Sequence, residues 1–294
     1  MRGRLPAIIG MVLCILLSLV LSPMAIASAT IVGLATLRNG IREGLLVTGA
    51  GLLSIAVLST VSFQTPWALV IPCILLWAPA LGLAELLRRG HSLANTIEIA
   101  LIAGWMIVGV QYLWLEAPAE FWRSLLSPLL SAYFDATTFT LDQQTQVLNA
   151  LVVWMPGAVA AGWLAVCILT VLFTVWAEAT LQGNHDFAQA FQGFRCSRSW
   201  LIVTPVLLIP SLLDTTQTAS LPSQLYLVST LLFVLQGLSL LHNMAARYQI
   251  KRLWLSGMYA LLVFVAPFSL NIMSMIGYMD GWWNIRARIK AKKP

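Results

Sequence analysis

The chain contains 294 residues, of which 59% are hydrophobic and only 10% carry a charge. Soluble domains have about 25% charged residues because their surface must face water. This composition therefore excludes an ordinary soluble protein and predicts one whose surface faces a lipid bilayer. The net charge of +6 does not indicate a nucleic-acid partner, because almost all the basic residues fall in loops on one side of the predicted topology.

Apolar runs separated by short polar breaks predict the membrane segments. Backbone groups in lipid must find their hydrogen-bond partners within the protein, so each run is expected to form a helix. Three of the runs have the length of a full span, about 20 residues. The first two and the last two runs are shorter, and Pro23 and Pro267 separate the members of each pair. The runs are 6–21, 24–37, 41–62, 67–86, 94–115, 147–181, 200–213, 224–241, 254–266 and 268–283.

The loops between these runs alternate in charge, which predicts the orientation. Arginine and lysine resist translocation and collect in cytosolic loops. Basic residues lie at 38–42, 88–89, 195–198 and 247–252 and near both ends of the chain, whereas the intervening loops contain only Arg123 and several acidic residues. We therefore expect both termini in the cytosol. Residues 6–37 and 254–283 then each cross and return, either as full hairpins or as re-entrant helices.

The first segment resembles a cleavable signal peptide, with Arg2 and Arg4, an apolar stretch and then small residues at 25–29. Cleavage there would leave only residues 30–37 before Arg38, which is too short to cross a bilayer. We expect the segment to be retained. The fold predicted from these patterns is an all-α polytopic bundle of about eight to ten membrane segments. It forms a single membrane domain over residues 1–284, with a basic tail over 285–294.

Apolar residues in 118–134 recur at spacings of three and four, which predicts an amphipathic helix kinked near Pro128. This helix either lies on the outer face of the bilayer, the placement we favour, or packs over the bundle as part of a loop.

The run at 147–181 would extend about 52 Å as a helix, well beyond a bilayer core of about 30 Å. A tilt, a bend at Pro156 and Gly157, or an extension past Trp176 would accommodate it.

Common catalytic patterns are missing from the sequence, including a zinc-binding HExxH, a GxSxG nucleophile turn and a phosphate-binding loop. The histidines at 91, 185 and 242 lie far apart, and the four cysteines form no CxxC pair. We therefore expect no catalytic residues, no metal, no cofactor and no enzymatic activity.

Polar residues inside apolar runs are the candidate ligand-binding residues, because each must face protein or water. Gln236, Asn271 and Glu98 are of this kind. For Gln236 and Asn271, hydrogen bonding between helices is the alternative role.

The C-terminal stretch supplies a candidate partner contact. Asp280 and Asn284 are four residues apart, so they share a helical face, and Arg286 follows at the predicted cytosolic boundary. The alternative is a helix end anchored by charge and tryptophan.

Three short motifs resemble the YybS-like family of bacterial multi-pass membrane proteins. They are Leu37-Arg-Asn-Gly40 with a second glycine at Gly44, Gln236-Gly-Leu238, and the G-x-x-D-x-x-x-N-x-R pattern over 277–286. That family is similar to the S-components of energy-coupling-factor transporters. The resemblance implies a location in the bacterial inner membrane and capture of a small metabolite within the helical bundle. It also implies energising by a separate coupling membrane protein with ATPases.

We therefore predict a transport-related membrane protein that binds a small metabolite. The alternative is a non-catalytic membrane scaffold or regulatory partner protein. Apart from the bilayer itself, anionic lipid at the basic tail 285–294 is a further expected partner.

Overall fold

The computed structural model describes residues 3–134, 140–184, 186–213, 220–250, 252–266 and 268–288. Within these ranges all the regular elements are helices, which confirms the predicted all-α bundle. Pro267, His185 and the basic residues Lys290, Lys292 and Lys293 lie outside the described residues. The helices are α1 (Arg4–Leu17), α2 (Pro23–Asn39), α3 (Ile41–Phe63), α4 (Trp67–Arg88), α5 (Leu93–Trp114), α6 (Pro118–Phe134), α7 (Leu141–Gln182), α8 (Asp186–Gln192), α9 (Arg198–Leu213), α10 (Leu221–Arg247), α11 (Arg252–Phe264), α12 (Phe268–Trp283) and α13 (Ile285–Arg288).

Among the described residues, five helices are long and apolar enough to cross a membrane, namely α3, α4, α5, α7 and α10. The helices α1, α9 and α11 are apolar but shorter. Large apolar side chains cover much of the outer surface; Leu113 and Trp114 are more than four-fifths exposed. An exposed apolar surface of this extent faces lipid rather than water, and the prediction of a membrane protein with transmembrane helices is confirmed.

The chain divides into two compact units, and the first comprises residues 1–100 and 165–194. Helices α1 to α4 pack on one another around a core that includes Met11, Ile55 and Trp77. The Trp77 indole Nε1 donates a 2.6 Å hydrogen bond to the buried hydroxyl of Ser28, which joins α4 to α2. The predicted break at Pro23 is present: α1 ends at Leu17, α2 begins at Pro23, and the two helices pack together.

The second unit comprises residues 101–164 and 195–294, with α10 at its centre. Helix α10 packs against α9 and most extensively against α12. The close approach of α10 and α12 depends on Gly277, because a Cβ there would overlap the carbonyl oxygen of Phe233. The single-domain prediction for residues 1–284 is not tested by this division and stays a prediction.

Helix α6 has the bounds predicted for it, whereas α7 is longer than its predicted apolar run. The helix predicted at 118–134 forms as α6 and continues through Pro128. In the second unit, Trp122 of α6 donates to Gln111 of α5 at 3.0 Å, while Leu125 and Leu129 remain exposed. Helix α7 has 42 residues and therefore extends about 63 Å. It begins at Leu141, and the predicted apolar run starts only at residue 147.

Candidate functional site

A cleft in the second unit is the candidate site. It has a volume of about 410 Å³ and lies between α9, α10 and α12. Small-molecule sites in proteins are clefts of about 300–1,000 Å³, mostly apolar with a few placed polar groups. This cleft has that character. Its lining residues are Thr204, Pro205, Leu208, Tyr226, Thr230, Phe233, Asn271, Ser274, Met275, Tyr278 and Met279.

Pro205 shapes the α9 side of the cleft. Proline has no backbone N–H, so the carbonyl four residues earlier loses its helical hydrogen bond. The Tyr278 hydroxyl of α12 donates to that carbonyl, on Leu201, at 3.0 Å. The ring of Tyr278 packs edge-on against Phe233 of α10, with 5.3 Å between the centroids. These contacts fix α9, α10 and α12 around the cleft and use the hydroxyl of Tyr278 for structure.

Thr204, next to this proline, carries a hydroxyl that bonds to none of the described residues. The residue is 5% exposed, and its Oγ1 has no hydrogen-bond partner among the described residues. Threonine hydroxyls inside helices can donate to the carbonyl four residues earlier, as Thr36 and Thr174 do at 2.9 and 2.8 Å. A buried polar atom left without a partner costs about 1–3 kcal/mol. Thr204 is also one of the residues that line the cleft.

Asn271, one of the sequence candidates, also lines the cleft. Its amide makes no hydrogen bond within the part of the chain that the structure describes, and the residue is exposed on α12. An amide on an apolar helix is costly unless it meets a polar group. The structure thus brings Asn271 and Thr204, from two different helices, to the same cavity.

Gln236, the second candidate, occupies a different place. It is fully buried on α10, and its Nε2 donates to the Gly277 carbonyl of α12 at 3.0 Å. Its Oε1 accepts from the backbone N–H of Cys196 at 3.0 Å. Both ends of the amide are therefore engaged in joining α10 to α12 and to the segment before α9. This is the geometry of the alternative role, and Gln236 is not among the residues that line the cleft.

Glu98, the third candidate, belongs to the first unit, where it is half-buried on α5. The structure does not bring it into the cleft of the second unit. Its assignment to a ligand site stays a prediction.

The candidate partner contact forms an internal network. Asp280 is fully buried, and its Oδ2 accepts from Arg286 Nε at 2.9 Å. Arg286 is itself buried, and its second terminal nitrogen lies 2.8 Å from the same carboxylate oxygen. Asn284 adopts a left-handed backbone conformation with φ 47°, between α12 and α13. Its side-chain oxygen accepts from Arg195 at 2.9 Å. These side chains hold the end of α12 in place, and their contact with a partner stays a prediction.

Two glutamines that sequence patterns did not single out are structurally important in the second unit. Gln224 of α10 accepts from the Gly157 N–H at 2.7 Å and donates to the Val153 carbonyl at 2.8 Å. Gln111 of α5 donates to the Pro156 carbonyl at 3.2 Å. The sequence signal near both contacts was Pro156, since a proline inside a membrane helix disturbs the backbone hydrogen bonding there and is tolerated through contacts with neighbouring helices.

No family model, characterised protein or solved structure matches the chain. The likeness of its short motifs to the YybS-like family therefore stays a prediction. Among the described residues, His, Cys, Asp and Glu side chains form no group of three that could hold a metal ion.

Proposed function

We propose that this protein is a transport-related, multi-pass protein of the bacterial inner membrane that binds a small metabolite in the cleft between α9, α10 and α12. The observation that carries the proposal is the unsatisfied hydroxyl of Thr204 together with the Asn271 amide, both bordering one cavity of about 410 Å³. Polar groups placed in this way inside apolar helices mark substrate pathways and ligand sites.

The lining suggests the chemistry of the ligand. The described lining residues include no charged side chain, while Tyr226, Phe233 and Tyr278 supply aromatic surface. Hydroxyl and amide groups provide both donors and acceptors. We infer a neutral, flat molecule with a hydrogen-bonding edge, a class that includes nucleobases and uncharged heteroaromatic vitamins.

The proposed topology places both termini in the cytosol. Two ion pairs of the first unit support it: Arg4 with Glu43, and Arg38 with Glu178. These pairs gather the start of α1, the end of α2, the start of α3 and the end of α7. The loop charges assign all four of these helix ends to the cytosolic side. In the second unit, α6 contacts the end of α5 through Trp122 and the start of α7 through Arg123, which agrees with a position on the outer face.

Energy for transport would come from a separate coupling membrane protein with its ATPases. The support for this partner is the motif likeness to S-component-related proteins. Co-purification from the native membrane with an ATPase-bearing complex tests it, and isolation of the protein without any such complex would count against this part of the proposal.

A ligand screen tests the binding function. Purified protein in detergent is screened by thermal shift against neutral vitamins and nucleobases, and each hit is measured by calorimetry. We expect Asn271→Leu and Thr204→Val to weaken binding about tenfold each, because each removes a hydrogen bond to the ligand. Retention of full affinity by both variants would exclude the cleft as the ligand site.

Thr48→Val is the matched control for Thr204→Val. Thr48 is a buried threonine of α3 in the first unit whose hydroxyl also has no hydrogen-bond partner among the described residues. It does not line the cleft, so its replacement should leave ligand affinity unchanged. A loss of affinity equal to that of Thr204→Val would show a general effect on the fold.

A further inference from the structure

The first unit contains a larger groove, separate from the cleft and independent of the function proposed for it. The groove has a volume of about 780 Å³ and is bordered by α1, α2, α3 and the end of α7. Its lining combines charged and apolar side chains. The lining residues are Gly3, Arg4, Ala7, Ile31, Leu34, Ala35, Arg38, Asn39, Glu43, Val47 and Leu181.

The charged residues lie together at one end of the groove. Arg4 Nε donates to Glu43 at 2.7 Å, and Arg38 Nε donates to Glu178 at 2.5 Å. A guanidinium group has five N–H donors. The two terminal nitrogens of Arg38 make no further hydrogen bond among the described residues, and its side chain is 34% exposed. Donors of this geometry match the oxygens of a phosphate group.

The apolar residues continue from the charged end along the same helices. On α2, Ile31 lies eight residues before Asn39, which corresponds to about 12 Å along the helix axis. Ala7 follows Arg4 by one turn of α1, and Val47 follows Glu43 by one turn of α3. The groove therefore passes from charged groups to an apolar wall along the helix axes, the order in which a phospholipid presents its headgroup and its acyl chains.

We propose that this groove binds one glycerophospholipid molecule. Its phosphate accepts hydrogen bonds from the free terminal nitrogens of Arg38, with Arg4 beside it, and the upper part of an acyl chain lies against Ile31, Leu34 and Val47. A free phosphate ion would leave this apolar wall uncovered. A lipid without phosphate would leave the Arg38 donors unmatched. The groove therefore selects a molecule that has both a phosphate and an acyl chain.

Native mass spectrometry of the purified full-length protein in detergent tests the proposal. The probes are dioleoyl-phosphatidylglycerol, dioleoylglycerol and inorganic phosphate, each titrated separately. We expect a single phosphatidylglycerol molecule to bind. The other two probes should bind at least about tenfold more weakly, since dioleoylglycerol lacks the phosphate and inorganic phosphate lacks the acyl chains. Equal binding of dioleoylglycerol would overturn recognition of the phosphate. Equal binding of inorganic phosphate would overturn the lipid assignment.

Variants of the arginine site locate the lipid. Arg38→Gln is expected to weaken phosphatidylglycerol binding about tenfold, because the charge-assisted hydrogen bonds are lost. Arg88→Gln is the control, because Arg88 is an ion-paired arginine of α4 in the same unit that does not line the groove. Wild-type affinity in Arg38→Gln, or an equal loss in Arg88→Gln, would overturn the proposal.

Glu178→Gln gives a readout that a purely structural role of Arg38 would not produce. This change removes the negative charge of the group that holds Arg38 and so removes the anion that competes with the phosphate for this arginine. We expect phosphatidylglycerol to bind severalfold more tightly than to the wild type. Weaker binding in Glu178→Gln would overturn the assignment of Arg38 to the phosphate.

Discussion

The side chain of Gln224 bonds to the backbone of α7 at Gly157. In a regular helix the Gly157 N–H donates to the Val153 carbonyl. Gln224 contacts both of these groups, accepting from Gly157 at 2.7 Å and donating to Val153 at 2.8 Å. Pro156, directly before Gly157, has no backbone N–H to give to the helix, and the glutamine fixes α10 to the middle of α7.

Replacement of Gln224 by leucine is expected to destabilise the protein by about 1–3 kcal/mol, because two buried backbone groups lose their partner. The measurement is thermal unfolding in detergent followed by circular dichroism. Gln146→Leu is the control, since Gln146 is an exposed glutamine of α7, the helix that Gln224 of α10 contacts. Equal stability of Gln224→Leu and wild type would contradict a stabilising role of the two Gln224 hydrogen bonds.

The buried ion pair between Asp280 and Arg286 gives a second prediction. Removal of one partner of a buried pair leaves an uncompensated charge and costs about 3–5 kcal/mol. Asp280→Ala and Arg286→Ala are therefore each expected to be strongly destabilising. The double variant should lose less stability than the two single losses added together. Additive losses in chemical denaturation would contradict a direct coupling between the two side chains.

The crossing of α10 and α12 leaves no room for a side chain at Gly277. Gly277→Ala would force the Phe233 carbonyl away from α12, and overpacking of this kind costs about 1–3 kcal/mol. We expect a lower unfolding temperature for this variant. Gly257→Ala on α11 is the matched control, because a Cβ there would meet no atom within 4 Å. A similar change in both variants would point to the intrinsic preference of alanine rather than to the helix crossing.

The proposed topology predicts which loops react with a membrane-impermeant thiol reagent. In a background without the four native cysteines, His91→Cys is expected to be protected in intact spheroplasts and labelled only after lysis. His91 is an exposed residue between α4 and α5. Ala119→Cys, at the start of α6, should be labelled from outside. The physical reason is the translocation cost of the basic loops. External labelling at residue 91 would reverse the proposed orientation.

The structure also refines where the basic tail can be removed. Deletion of residues 289–294 leaves the Asp280–Arg286 pair intact and should leave the unfolding temperature unchanged. Deletion of 285–294 also removes Arg286 and leaves the fully buried Asp280 without its partner, so we expect a large loss of stability. If the shorter deletion alone abolishes every protein interaction while no ligand is found, the scaffold alternative is favoured over metabolite binding.

The ends of a helix could be predicted closely where the helix consists of one apolar run and nothing more. The predicted run 268–283 coincides with α12 (Phe268–Trp283), and the run 94–115 differs from α5 (Leu93–Trp114) by one residue at each end. The start of α7 at Leu141 was missed, because its first turns contain Asp142, Gln143 and Gln144 and no apolar run indicates them. The short helix α8 (Asp186–Gln192) was missed for the same reason.

The sequence by itself determined that the surface of this protein faces lipid and that its elements are helices, because hydrophobicity and helix length are local properties of consecutive residues. Only the tertiary structure decided what each polar side chain within an apolar run does. Gln236 and Asn271 are both amides within apolar runs, but Gln236 meets a carbonyl of α12, whereas Asn271 faces the cleft beside α9. A hydrogen-bond partner depends on which helices pack together, and that packing joins residues far apart in the chain.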